Sequence, residues 1–196
     1  MVAKKKSRTR KTTRKARVPR RRTTTPPNGA ARRLQPDAYH TLTPYLAVSH
    51  AGQALDWYKK AFGAKEVSRM PGPGGRLMHA ELQIGDSRLL LSDVFPGSDV
   101  QDPTRVGNTT TTIHLYTKNI DQVWRKAVAA GAVVTMPLEN QFWGDRYGKL
   151  RDPFGHSWSL AYPAKMTEKE KRLKQEQAMR MLEEGQHPGM ETNARA

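Results

Sequence analysis

Chemistry in this chain would fall to a few imidazoles, carboxylates and hydroxyls that alternate with apolar residues. His79 and Glu81 stand two apart in LMHAELQI, and His114 stands between Ile113 and Leu115. Successive side chains of a strand point to opposite faces. With Met78, Ala80, Leu82 and Ile84 under a helix, His79, Glu81 and Gln83 turn to the other face. The same parity turns Thr43, Tyr45 and Ala47 there when Leu42, Leu46 and Val48 are covered. It does likewise for Thr112, His114 and Tyr116, and Asp93, on the face of Leu91, is expected to join them. His79, Glu81 and His114 could form a two-histidine, one-carboxylate site for a divalent metal with open positions. Alternatively, Glu81 and His114 could act as general base and acid on a bound carbonyl compound. The preferred reading is plainer: hydrogen-bonded structural groups or ligand contacts, with no metal or other cofactor expected.

A second group lies in QFWGDRYGKLRDPFGHSW, residues 141–158. Trp143 and Arg146 could lid a cleft, one stacking on a ligand and the other pairing with an anionic group. The same WGDR segment could equally be a loop anchor. His156, Trp158 and Leu160 alternate with the small Ser157, Ser159 and Ala161, which places His156 and Trp158 in the core and Ser159 toward a cavity. Gly72, Gly74 and Gly75 are not followed by the GK[ST] of a phosphate loop and read as a hairpin. With no cysteine in the 196 residues, thiolate metal sites and a cysteine nucleophile are excluded. No serine stands in a nucleophile-elbow context.

These side chains need strands to hold them, and the sequence supplies them twice. In the first unit a strand is expected over 41–48, a helix over 51–62 with Ala54, Leu55, Tyr58, Ala61 and Phe62 on one face, and a stop at Gly63. Strands follow over 65–70, 77–84 and 88–93. The second unit repeats the order with a strand over 111–117, a helix over 120–130 stopped by Gly131, and strands over 132–136, 146–151 and 156–162. AFGAKEV at 61–67 sits over AAGAVVT at 129–135. Asp152-Pro153-Phe154-Gly155 has type I turn chemistry and joins the last two strands. The expectation is an α+β domain over 39–162, made of two βαβββ modules (39–95 and 110–162) whose sheets enclose a cleft.

On these residues the chain resembles the vicinal-oxygen-chelate superfamily, the glyoxalase, bleomycin-resistance and dioxygenase fold. RMPGPGGRLMHAELQIGDSRLLLSDVFPG (69–97) and the 141–158 motif are similar to its PhnB-like branch. The resemblance implies a cupped sheet around a small organic ligand, a homodimer, and in many members a divalent metal held from the first and fourth strand of each module. Those positions fall at Thr43, Leu91, Thr112 and Ser159, none of them His, Asp or Glu, so metal-dependent glyoxalase or dioxygenase chemistry is not expected here. A ligand-sequestering protein leads, with an enzyme of the glyoxalase or dioxygenase kind as the alternative. The ligand contacts expected are Tyr45, His79, Asp93, Thr112, Tyr116, Trp143, Arg146 and Ser159.

Outside the domain the charge is uneven. Residues 1–36 hold 14 Lys and Arg and no acid, against a formal net charge of +16 for the chain. A segment so poor in apolar residues is expected to be disordered, so the basic tail is taken as 1–38. Its blocks Lys4-Lys5-Lys6 and Arg20-Arg21-Arg22 could bind nucleic acid without sequence preference, or could serve solubility alone. No apolar run approaches the ~18 residues of a membrane span, and no membrane partner is expected. A cytoplasmic location follows as the default, nucleoid-associated if the arm holds DNA. Residues 163–196 are expected to form a charged helix, opened by a Thr167/Glu170 capping box and ended by Gly185, and a tail.

Overall fold

The computed structural model describes Pro36 and residues 39–186. The basic blocks Lys4-Lys5-Lys6 and Arg20-Arg21-Arg22 lie outside the described residues, as does the tail beyond 186. The first module runs β1 (Tyr45–Val48), α1 (Ala51–Phe62), β2 (Lys65–Pro71), β3 (Leu77–Ile84) and β4 (Ser87–Asp93). A short helix, α2 (Pro103–Val106), is capped by Asp102, whose carboxylate accepts from the Thr104 and Arg105 amides. The second module follows as β5 (Thr112–Tyr116), α3 (Ile120–Ala129), β6 (Val133–Asn140), β7 (Asp145–Arg151) and β8 (Ser157–Pro163).

The repeat is complete at the level of topology. One sheet has the order β1-β4-β3-β2 and the other β5-β8-β7-β6. In each, the first strand lies parallel to the fourth and the remaining pairs are antiparallel. Gly63 closes α1 in the left-handed region at φ 67°, where a side chain would be strained. At the other end of α1, His50 offers no side-chain cap. The Ala51 amide instead donates to Asp93 Oδ1 at 3.0 Å, an acceptor lent by β4.

The covered faces of both modules form one core. Leu46, Val48, Leu82, Leu89 and Leu91 meet α1, and Trp158 from β8 packs on Tyr58 and Phe62 of α1 at ring separations of 5.6 and 4.6 Å. Trp57 donates to the Ala130 carbonyl at 2.8 Å, and His156 Nε2 lies 3.1 Å from the Ala47 carbonyl oxygen. His156 and Trp158 are thus core residues. The first strand is shorter than its pattern predicts, beginning at Tyr45, where pairing with Leu90 begins. Leu42, expected under the helix, is 87% exposed.

The closing helix, α4 (Glu168–Glu183), has the capping box read from the sequence: the Thr167 amide donates to Glu170 Oε2 at 2.7 Å and the Glu170 amide to Thr167 Oγ1 at 3.2 Å. Among the described residues, no helix is long and apolar enough to cross a membrane.

Candidate functional site

Strand register decides which side chains stand on the faces opposite the helices. In the first sheet, Tyr45 pairs with Leu90 and Ala47 with Ser92, while Leu90 also faces Glu81 and Gln83 faces Arg88. Paired residues share a face, so Tyr45, His79, Glu81, Gln83, Arg88, Leu90 and Ser92 lie together. Leu91 and Asp93 lie on the other face, opposite Leu46 and Val48. This corrects the expected placement of both. Asp93 is buried and its oxygens serve the Ala51 amide and, at 2.6 Å, the Leu77 amide, so it acts as a junction between α1 and β3.

The open face of the first sheet carries a linked set of polar groups. Tyr45 Oη lies 3.0 Å from His79 Nδ1, and His79 Nε2 lies 3.3 Å from Glu81 Oε1. One neutral tautomer satisfies both contacts, accepting at Nδ1 from the phenol and donating at Nε2 to the carboxylate. The Tyr39 phenol beside Glu81, reinforced by His79 and opposed by burial, holds the carboxyl below its usual range. The same carboxylate pushes the Tyr39 phenol up. Arg88 lies over the Tyr39 ring at 5.8 Å.

The second open face is aromatic. His114, Ser159 and Lys149 are neighbours across three strands, as are Tyr116, Ala161 and Tyr147. His114 Nδ1 and Ser159 Oγ share a hydrogen bond of 2.7 Å, and Thr112 donates to Ser157 at 3.2 Å. The His114 ring meets Tyr116 edge-on at 4.7 Å and stacks with Tyr147 at 6.0 Å. Tyr147 meets Trp143 at 5.3 Å. Tyr116 is 64% exposed and Trp143 41%.

Arg146 is one residue out of phase with this face. It pairs with Tyr162 on the helix side, and its Nη2 donates to Asp121 Oδ1 of α3 at 2.6 Å. The sequence placed Arg146 at the cleft; its salt bridge to α3 holds it elsewhere. Tyr147 and Lys149 were missed. The signal for them was their pairing with the small residues Ala161 and Ser159.

A cleft of about 460 Å³ opens where the segment 40–44, the β3–β4 turn and β5 meet. Leu42, Phe62, Leu89, Ile113, Leu115 and Trp158 line it, with His40, Arg88, His114 and Tyr116. The lining is mainly apolar, and the volume falls within the range spanned by small-molecule pockets.

The residues present do not fit the divalent ion of metal-dependent members. Thr43 precedes β1 and donates to the His40 carbonyl, while the hydroxyls of Thr112 and Ser159 serve Ser157 and His114. Leu91 faces the helix, leaving Leu90 and Ser92 on the open side. Beside these hydroxyl and alkyl groups the first and fourth strands offer one imidazole, His114 opposite Ser159, a poor set for an ion that prefers several imidazole and carboxylate ligands. Among the described residues, no three His, Asp or Glu are grouped to hold a metal. His114 stands on the second sheet and does not join His79 and Glu81 within the chain.

Comparison with known proteins agrees with this architecture. A family model for the glyoxalase/bleomycin resistance protein/dioxygenase superfamily matches residues 39–160. An uncharacterised protein of Mycobacterium bovis is 46% identical over 127 residues, 63% of this chain and 84% of that protein. Among solved structures, TioX from Micromonospora sp. ML1 superposes with a TM-score of 0.52 at 26% identity, over 63% of this chain and 98% of its own. An Arabidopsis thaliana protein does so with a TM-score of 0.51 at 30% identity, over 63% and 98%.

Proposed function

The chain belongs to the glyoxalase/bleomycin resistance protein/dioxygenase superfamily, and within it we propose a metal-independent protein that binds a small organic molecule and works as a homodimer. The observation that carries this reading is the cleft of about 460 Å³, apolar in most of its lining and bordered by His114 and Tyr116. The hydroxyl and alkyl groups at the metal register support the metal-independent part. The dimer is supported by the exposure of Leu42 at 87% and of Tyr45, on an edge strand, at 52%.

Elemental analysis of protein purified without chelator or affinity tag, joined to a thermal-shift ligand screen, tests it. The expected result is metal far below stoichiometry and a ligand that raises the Tm. Near-stoichiometric divalent metal, lost in His79→Ala or His114→Ala, would overturn the proposal in favour of an enzyme with a relocated metal site. Sedimentation of the full chain tests the dimer, and a monomer at all concentrations would exclude it.

Two further readings rest on their own observations. The Tyr45, His79, Glu81 chain is a hydroxyl–imidazole–carboxylate series of the kind that moves protons, so an enzyme acting on a carbonyl compound is the second reading. In it Glu81 orients His79, and His114 would act from a partner's sheet or not at all. Unchanged turnover in His79→Ala and Glu81→Ala would sink that mechanism, and unchanged turnover in His114→Ala would remove His114 from it. The third is a nucleic-acid tether through residues 1–36, supported by 14 basic residues and no acidic one. It requires that deleting the segment abolish DNA or RNA retention at low salt.

A further inference from the structure

We propose that the open face of the second sheet selects a flat aromatic anion, its rings lying along Tyr116, His114 and Tyr147 and its acid group held by Lys149. This rests on the small-molecule reading above and names the ligand class.

The argument starts from register. Lys149 faces Ser159, and Ser159 faces His114, so an ammonium, a hydroxyl and an imidazole point from one face of three adjacent strands. Among the described residues, no carboxylate lies within ion-pair distance of Lys149, whereas Arg146, three positions away on the other face of β7, is engaged by Asp121. The cation beside the ring series and open to an incoming anion is therefore Lys149, with Arg151 two residues further along the same face.

The rings supply the second half. Tyr116, His114, Tyr147 and Trp143 form an unbroken series of edge and stacked contacts from 4.7 to 6.0 Å. Two of these rings remain substantially exposed. The rings rest against one another, so a flat ligand would meet neighbours already in contact and need less reorganisation than on isolated side chains. Two of the rings, His114 and Tyr116 on the edge strand β5, also border the cleft, whose other β5 and β8 walls, Ile113, Leu115 and Trp158, belong to the covered face. Aliphatic ligands gain only area there, while planar rings gain stacking geometry as well.

The test is calorimetric titration of the full chain with three probes: anthracene-2-carboxylate, 2-(hydroxymethyl)anthracene and decanoate. The carboxylate is expected to bind tightest. Tyr147→Leu should weaken the anthracene acid about tenfold, the scale of one aromatic contact, and leave decanoate unchanged. Lys149→Met should weaken the acid about fivefold or more and leave the alcohol unchanged. Arg146→Met should leave all three unchanged. Equal binding of decanoate, insensitive to Tyr147→Leu, would overturn the aromatic class while leaving the small-molecule reading intact. Equal binding of acid and alcohol in the wild type and Lys149→Met would overturn the anion site. If none of the three probes binds, the class is wrong, and a blank thermal-shift screen then removes the underlying reading as well.

Discussion

Replacing Asp152 with Asn tests the packing of the two modules against each other. The Asp152 carboxylate is 3% exposed and accepts four hydrogen bonds. Oδ1 takes the Phe154 and His156 amides, both at 2.9 Å, and closes the turn between β7 and β8. Oδ2 takes the Tyr58 hydroxyl at 2.7 Å and the Trp158 indole at 2.9 Å. Burial first, and then this carboxylate, push the Tyr58 phenol well above its ordinary range. In Asp152→Asn the amide oxygen can keep the two backbone donors, which turns the NH2 toward Tyr58 and Trp158. Tyr58 can reverse and accept, but the indole N–H cannot and is left buried without a partner. The lost charge assistance and the orphaned donor together cost about 3 kcal/mol, or roughly 6–12 °C in Tm for a chain of this size. Urea unfolding of the full chain, followed by tryptophan fluorescence, measures the loss. Tyr58→Phe alone should cost about 1 kcal/mol, and the two changes should not add, because they share a partner. A loss in Asp152→Asn below about 0.5 kcal/mol, or strict additivity, would refute the view that this carboxylate joins α1 to the second module.

Three other perturbations follow from single contacts. A Cβ at position 148 would lie 2.7 Å from the Trp124 ring and 2.9 Å from Leu138 Cα, so Gly148→Ala should cost about 1–3 kcal/mol by overpacking, and an unchanged Tm would contradict the register of β7. In Asp93→Asn one of the amides of Ala51 and Leu77 must lose its acceptor, for about 1–3 kcal/mol; a change in ligand affinity without a change in stability would return Asp93 to the binding site. Glu66 is held down to about 2 from the ordinary 4.5, first by Arg69 and then, against burial, by Lys59. Its folded pKa being depressed, its contribution is complete above pH 4.5 and is lost as pH falls toward about 2. Glu66→Gln should therefore flatten the acid limb of a stability-versus-pH curve in that window, and an unaltered limb would show that the pair contributes nothing.

The fold was legible because its signals are local and repeated. Glycine stops at 63 and 131, helical spacing in 51–62, and a β3 run whose ends match the structure residue for residue all act within a few positions. The site was harder, because alternation gives relative facing within a strand but not its phase. In β4 the run Leu89-Leu90-Leu91 is apolar on both faces, so composition cannot say which leucine looks at the helix; only pairing of Leu91 with Leu46 and Ala80 decides it. That phase also carries Asp93 into the core, where it supplies the cap that His50 lacks. In β7 the ambiguity has a different origin. Gly148 is on the covered face but has no side chain, because the Trp124 ring fills its place, so the apolar member of the alternation is missing where it would have been informative. Without it Arg146 reads as the cleft cation, although it belongs to the helix face with Gly148 and Leu150, and Lys149 is the side chain on the aromatic face. A ligand read from the sequence would have met an arginine already neutralised by Asp121; read from the register, it meets a lysine set beside stacked rings.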